Sequence, residues 1–353
     1  MAPRLPSLKK DLTMRVVTRV SDLIGNTPLF ELARTATGTR LLLKLEQFNP
    51  TGAAKIRMAR QMVLDAEETG QLRPGGTIIE STSGNTGLGL AVIAAERGYR
   101  FTAVVDNHAC RDKLAAMRAM GAQLVFVADE GDDQLATSAR EDLAARMAKE
   151  TENAFFTEQH NNPSNAVGYH AVAHELTEAL GGDIDYLVCP VGTGGSLFGT
   201  ARELRRQGSG VRVIGVEPVG SIAFGGPGGP YYQSGTGTPP GAEIGTAVDY
   251  DLLDEGIKVS DVDAFATARA VAAYSGLMIG GSAGGAVFAA LERLASLPEG
   301  ATVVTLVCDG GEKYLDTVFD DRWMRARGLL SPEAEAGVTR LLAAHDPTAD
   351  GSR

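Results

Sequence analysis

Cysteine, aromatic residues and positive charge are all scarce in this 353-residue sequence. Its three cysteines, Cys110, Cys189 and Cys308, lie far apart and form no CxxC pair, which argues against a disulfide framework and a zinc ribbon. Cys189 and Cys308 sit in apolar runs and read as inert core residues. A formal charge of −11 argues against nucleic acid or an anionic membrane as partner, because both need a cationic surface. Any anionic ligand must therefore be held by local groups. No apolar run reaches the length of a membrane span, and the opening Met1-Ala2-Pro3-Arg4-Leu5-Pro6 lacks the apolar core of a secretory signal. The expected location is cytoplasmic.

Hydrophobic residues make up 44% of the chain, enough for the core of one large globular unit or of two domains. From about residue 75 onward, short β-branched runs alternate with helical patterns rich in Ala, Leu, Glu and Arg. The spacing predicts βαβ units and a buried, mostly parallel sheet, hence an α/β fold. Candidate strands are Thr77–Glu80, Phe101–Asp106, Gln123–Val127, Tyr186–Val191, Val211–Glu217 and Val303–Cys308. Ligands of such sheets bind at the carboxyl ends of the strands. Two stretches break the pattern: a Gly/Pro-dense loop over Val219–Gly245, expected to wall an active site, and the stretch after about Arg327, whose end reads as frayed.

Four small-residue turns carry the chemistry. In Asn49-Pro50-Thr51-Gly52-Ala53-Ala54-Lys55-Ile56-Arg57 a single amine stands among turn-forming residues at the mouth of a predicted helix. A crowded pocket there can lower the pKa of Lys55 enough for Schiff-base chemistry, although most lysines beside a turn are solvated surface charges. Glu80-Ser81-Thr82-Ser83-Gly84-Asn85-Thr86-Gly87 follows a strand and opens the helix Leu88–Arg97. Its hydroxyls and free helix-start N–H groups suit a carboxylate or phosphate, where an ordinary cap needs only one such residue. Val191-Gly192-Thr193-Gly194-Gly195-Ser196-Leu197 again joins strand to helix and suits a phosphate, or is only a tight turn. Neither loop has the spacing of the known nucleotide signatures. In Ile279-Gly280-Gly281-Ser282-Ala283-Gly284-Gly285-Ala286 the hydroxyl of Ser282 either caps a helix or faces a ligand that the glycines let approach.

Taken in order, these turns resemble the cysteine synthase and cystathionine β-synthase family of fold-type II pyridoxal 5′-phosphate enzymes. The likeness runs from Ile24-Gly25-Asn26-Thr27-Pro28-Leu29 to Gly310-Gly311-Glu312-Lys313-Tyr314-Leu315. It implies two α/β domains, each with a mostly parallel sheet flanked by helices, and the active site between them. The large domain would take 13–48 and 159–326, the small mobile domain 49–158, with 327–353 as a C-terminal tail. By the family pattern Lys55 would carry the cofactor as a Schiff base, Asn85 would bond its ring oxygen, Gly192, Thr193, Gly194, Gly195 and Ser196 its phosphate, and Ser282 would face its pyridine nitrogen. Thr82, Ser83, Thr86 and Gln159 match positions that bind the substrate's α-carboxylate, and Gly235-Thr236-Gly237 resembles a short glycine turn beside the site. A homodimer acting on small amino-acid substrates is implied as well.

The chemistry implied is β-replacement on an O-activated L-serine through an aminoacrylate. Lys55-Ile56-Arg57, Ser196 and the run from Tyr314 to Trp323 look like the branch in which the amine of L-glutamate attacks the aminoacrylate from O-phospho-L-serine, giving a 2,3-diaminopropionate precursor. Arg140 lies where that branch has an arginine near the substrate, though an arginine in a helical pattern is commonly a solvated face residue. The alternatives are a sulfhydrylase using O-acetyl- or O-phosphoserine with sulfide or thiosulfate, and an inactive member that binds or regulates. His170 and His174, spaced i, i+4 beside Glu175, could face a metal from one helix, yet no third ligand is evident and no metal is expected.

Overall fold

The computed structural model describes residues 16–106, 110–127 and 133–348, so positions 13–15 and 349–353 of the domain bounds drawn from sequence lie outside the described residues. The first half runs β1 (Leu29–Arg34), β2 (Arg40–Leu45), α1 (Lys55–Glu68), β3 (Thr77–Ser81), α2 (Asn85–Arg97), β4 (Arg100–Val105), α3 (Arg111–Ala119), β5 (Gln123–Phe126), α4 (Asp133–Glu150) and β6 (Ala154–Phe156). The second runs α5 (Ser164–Val167), α6 (His170–Leu180), β7 (Tyr186–Pro190), α7 (Gly195–Arg206), β8 (Arg212–Pro218), β9 (Glu255–Val259), α8 (Asp261–Ser275), α9 (Gly281–Leu291), β10 (Thr302–Val307), α10 (Asp321–Ala326) and α11 (Pro332–Ala344).

Two sheets result. One has six strands in the order β1-β2-β10-β7-β8-β9, the other four in the order β5-β4-β3-β6. Only the β1–β2 pair is antiparallel among the described strands, with a register shift between Glu31 and Ala33. The central strands β3, β7 and β10 are buried at every position, because helices cover both faces of a parallel sheet. That is why their sequences read as unbroken apolar runs. Leu41, Leu43, Val303 and Val307 share a core with α8 and α9, while Leu42, Leu187, Val304 and Leu306 face a second core shared with α6 and α7. The smaller sheet packs Ile78, Phe101 and Ala103 against α1 and α2.

Six strands lie within a residue of their sequence-read ends at most boundaries, and β1, β2, β6 and β9 add to them. β6 has three half-buried residues, and β9 carries Gly256 and two charges at a sheet edge, so neither produces an apolar run. The stretch after Arg327 forms α11, while its last residues, 349–353, read as frayed, lie outside the described residues. Ser331 caps α11 by accepting from Ala334 N–H at 3.2 Å, Pro332 opens the helix, and Val338 and Leu342 are buried. The alanine-rich sequence hides this docking face because few large side chains carry it, Val338 and Leu342 with the half-buried Leu341.

Candidate active site

The carboxyl ends of β3, β7 and β10 converge on a cavity of about 360 Å³. A cavity of about 510 Å³ opens at the opposite strand ends, around Asp185, Arg212 and Ala301, and touches none of the candidate residues. Lys55 lines the convergent cavity from the first turn of α1. Surrounding protein displaces water from its amine and lowers its pKa, against opposing contributions from Cys308 and Glu80. Those opposing charges are weak near neutral pH. Burial and Asp309 push the Cys308 thiol up to about 12, and burial lifts the Glu80 carboxyl to about 7. Cys308 is not the inert core residue its apolar run suggested: it is half-buried and lines the cavity one residue beyond β10.

The Glu80–Gly87 turn forms the adjoining wall. Thr82 Oγ1 accepts from Gly87 N–H at 3.1 Å, so this hydroxyl shapes the turn while its own proton stays available. Thr86 donates to Gln159 Oε1 at 2.7 Å, and Gln159 Nε2 reaches the Ser81 carbonyl at 3.4 Å. Thr82, Ser83, Thr86 and Gln159 therefore meet on one side of the cavity, as their sequence motifs alone could not show. Asn85 opens α2 without a side-chain cap before it. Its amide donates to Asp309 Oδ2 at 2.8 Å and accepts from Lys313 Nζ at 2.8 Å. One amide hydrogen is thus left over for a ligand.

The glycine turn after β7 supplies the opposite wall. Gly192 and Thr193 line the cavity, and Gly194, Gly195 and Ser196 lie directly behind them where α7 begins. Gly194 has φ +88° and no side chain caps the helix, so the first-turn N–H groups are not consumed by a cap. A Cβ at Gly195 would stand 1.9 Å from Asn165 Oδ1, and one at Gly192 would stand 2.9 Å from the Gly235 carbonyl. The turn is closed by Asn165, which donates to Thr193 Oγ1 at 2.9 Å and has a buried Oδ1 with no partner. The Val219–Gly245 loop does form a wall: Ser234 to Gly237 line the cavity, with Thr236 Oγ1 donating to the Val191 carbonyl at 2.9 Å. Ser282, second residue of α9, is buried and lines the cavity as well. Arg140 lines it from α4 and donates to the Asp106 carboxylate.

Sequence reasoning missed Glu80, Lys113, His160, Asp309 and Lys313, all of which face or support this cavity. Burial, with Lys55 and Arg140 nearby, lowers His160 to about 4, so its ring is neutral at pH 7. Asp309 is buried, takes the Tyr314 hydroxyl on Oδ2 at 2.6 Å and leaves Oδ1 without a partner. A single acid at the end of an apolar strand gives no periodic signal. His170 and His174 instead face Glu203, with His174 Nε2 3.0 Å from its carboxylate, and Glu175 belongs to a separate ion-pair cluster.

Residues 20–309 match the family model described as pyridoxal-phosphate dependent enzyme. The chain belongs to that family. A Sinorhizobium fredii protein described as "Putative cysteine synthase" is 50% identical over 90% of this chain and 95% of its own length. Among solved structures, cysteine synthase from Entamoeba histolytica superposes with a TM-score of 0.82 at 32% identity, covering 98% of this chain and all of that one. O-ureido-L-serine synthase gives 0.79 at 33% identity, covering 88% of this chain and all of that one. The fold is the fold-type II fold, and the chain is a pyridoxal phosphate-dependent, cysteine synthase-like enzyme of the β-replacement type.

The residues present fit that cofactor. They offer an amine with lowered pKa, a glycine cradle that side chains would fill, and a spare amide hydrogen on Asn85. Among the described residues no cluster of three or more His, Cys, Asp or Glu could hold a metal, and no helix is long and apolar enough to cross a membrane.

Proposed function

We propose that this enzyme, as a homodimer, replaces the activated β-oxygen of L-serine with an amine, O-phospho-L-serine being the favoured donor and L-glutamate the favoured nucleophile. Lys55 Nζ would hold the cofactor, the 192–196 turn its phosphate, Asn85 its ring oxygen and Ser282 its ring nitrogen. When bound, the cofactor supplies an electron sink for the pair left at the substrate Cα. A neutral serine hydroxyl at the ring nitrogen restrains that sink, which favours β-elimination over transamination.

The chain's own residues do the rest. Thr82, Ser83 and Gln159 offer neutral donors to the α-carboxylate, with Thr86 holding the Gln159 amide in place at their side, and the lowered pKa of Lys55 lets its free amine take the Cα proton as general base. The Cβ–O bond then breaks and phosphate leaves. The nucleophile's nitrogen bonds to Cβ and gives up a proton, and Lys55 Nζ returns the Cα proton. The observation that carries the anionic-donor reading is Arg140 on the lining of this cavity, a guanidinium aimed into the site in a chain of net charge −11.

A second reading, a sulfhydrylase forming cysteine from O-acetyl- or O-phosphoserine, is favoured by the names of the Sinorhizobium fredii and Entamoeba histolytica proteins. Product analysis by mass spectrometry, pairing each ester with glutamate, sulfide or thiosulfate, separates the two. A glutamate adduct of alanine is the expected product. Cysteine alone would establish the second reading, and no product from any pairing would mark a binding or regulatory protein.

A further inference from the structure

Beside the cavity that holds Lys55 lies a second one of about 550 Å³. The two share Ser83, Gly84, Lys113 and Ser234, so they meet across those residues. The outer rim carries Arg111, Asp112 and Asp316, all exposed, and the lining also includes Tyr232, Phe265 and Trp323. Lys113 stands at the junction and is only 8% exposed. Its ammonium lies 4.9 Å from the centre of the Tyr314 ring, and among the described residues no hydrogen bond or ion pair engages it. An ammonium that touches only an aromatic face keeps its three N–H donors for a ligand in either cavity. The nearby Lys313 is satisfied by contrast, donating to the Thr51 carbonyl at 2.7 Å and to Asn85 Oδ1 at 2.8 Å. Burial, opposed by the Asp309 carboxylate and reinforced by the like charge of Lys113, depresses Lys313 to about 8. An anion between the cavities would relieve both cations.

We propose that this second cavity is the subsite of the incoming nucleophile and that Lys113 binds a carboxylate of that nucleophile, selecting a carboxylated amine over a small inorganic one. The inference rests on the β-replacement reading and deepens it by naming the recognition group. The cavity's volume exceeds what sulfide needs, and its aromatic wall offers apolar surface to a carbon chain. Arg111, exposed on the same lining, is a second cation for a second carboxylate.

Calorimetric titration of the holoenzyme with glutarate, which carries two carboxylates and no amine, tests the subsite without turnover. Glutarate should bind, Lys113→Met should weaken it about tenfold or more, and Lys113→Arg should keep most of the affinity. In turnover, Lys113→Met should raise KM for L-glutamate about tenfold relative to KM for sulfide. Absence of glutarate binding to the wild type, or equal binding by wild type and Lys113→Met, overturns the inference. Equal losses toward glutamate and sulfide would overturn it as well, since they would mark a structural role. If the wild type makes no glutamate adduct yet binds glutarate through Lys113, the nucleophile named above is wrong and the carboxylate subsite stands.

Discussion

Removing the guanidinium of Arg57 should destabilise the enzyme more than most single changes. Arg57 is 4% exposed, two residues after Lys55 on α1. It holds Glu46 with Nε at 2.6 Å and Nη2 at 2.8 Å, and Glu175 with Nη1 at 2.8 Å and Nη2 at 2.9 Å. Lys44 supplies the fourth charge, 2.6 Å from Glu175 Oε2. Two cations thus balance two carboxylates, and Thr27 and Asn49 donate to Glu46 at 2.6 and 2.9 Å. Arg57→Met keeps the packing volume and leaves one ammonium for a buried acid, Glu46, and a half-buried one, Glu175. Breaking a buried pair from one side costs about 3–5 kcal/mol, a large share of the ~5–15 kcal/mol of an ordinary native state. The loss should stay near the lower end, because Glu175 keeps Lys44. Urea unfolding of the cofactor-free chain measures it directly, and repeating it with excess pyridoxal phosphate shows how far ligand binding offsets it. Adding Glu46→Gln to Arg57→Met should recover part of the loss by removing the stranded charge. A single variant within about 1 kcal/mol of wild type, or a double variant weaker than the single, would refute this account.

Lys55→Ala should abolish both turnover and the visible absorbance of the bound cofactor; a variant that turns over at the wild-type rate rejects Lys55 as the cofactor's lysine. Gly195→Ala places a methyl 1.9 Å from Asn165 Oδ1 and should weaken cofactor retention about tenfold or more in equilibrium dialysis, whereas unchanged retention would move the phosphate site elsewhere. Glu80 is buried, with its pKa raised from 4.5 to about 7, so its contribution to stability is fully present below pH 4.5 and is lost as pH rises through 7. Across that window the wild type should lose up to ~3 kcal/mol relative to Glu80→Gln, and parallel stability curves from pH 4.5 to 8 would contradict the assignment.

How much of this was legible in sequence differs by residue. Tyr186–Pro190 and Thr302–Val307 announce themselves because a strand covered on both faces must be apolar throughout. Gly192 to Ser196 announce themselves because a strand-to-helix turn with φ +88° at Gly194 selects glycine. Lys113, Asp309 and Lys313 do not, since each is an isolated charge whose role comes from a neighbour far away in sequence. The 49–57 turn shows both cases at once. Lys55 could be picked out by its setting, but Arg57 read only as part of the Lys55-Ile56-Arg57 run that resembles one branch of the family, and its bonds to Glu46 and Glu175 exist only after α1, α6 and the end of β2 are packed together.

That division bears on specificity. The residues legible in the sequence are those that would hold the cofactor and the α-carboxylate, and β-replacement on an activated serine needs all of them whichever nucleophile follows. The groups that distinguish nucleophiles must act outside that common machinery, beyond the Ser83–Gly84 turn. Lys113 is the buried cation at that boundary, and the sequence around it, Arg111-Asp112-Lys113-Leu114, reads as an ordinary charged helix start. Only the packing of α3 against Tyr314 shows that one of those charges points inward, to the junction of the two cavities. Selectivity in this enzyme should therefore follow the charge at position 113 more closely than any change within the four glycine-rich turns.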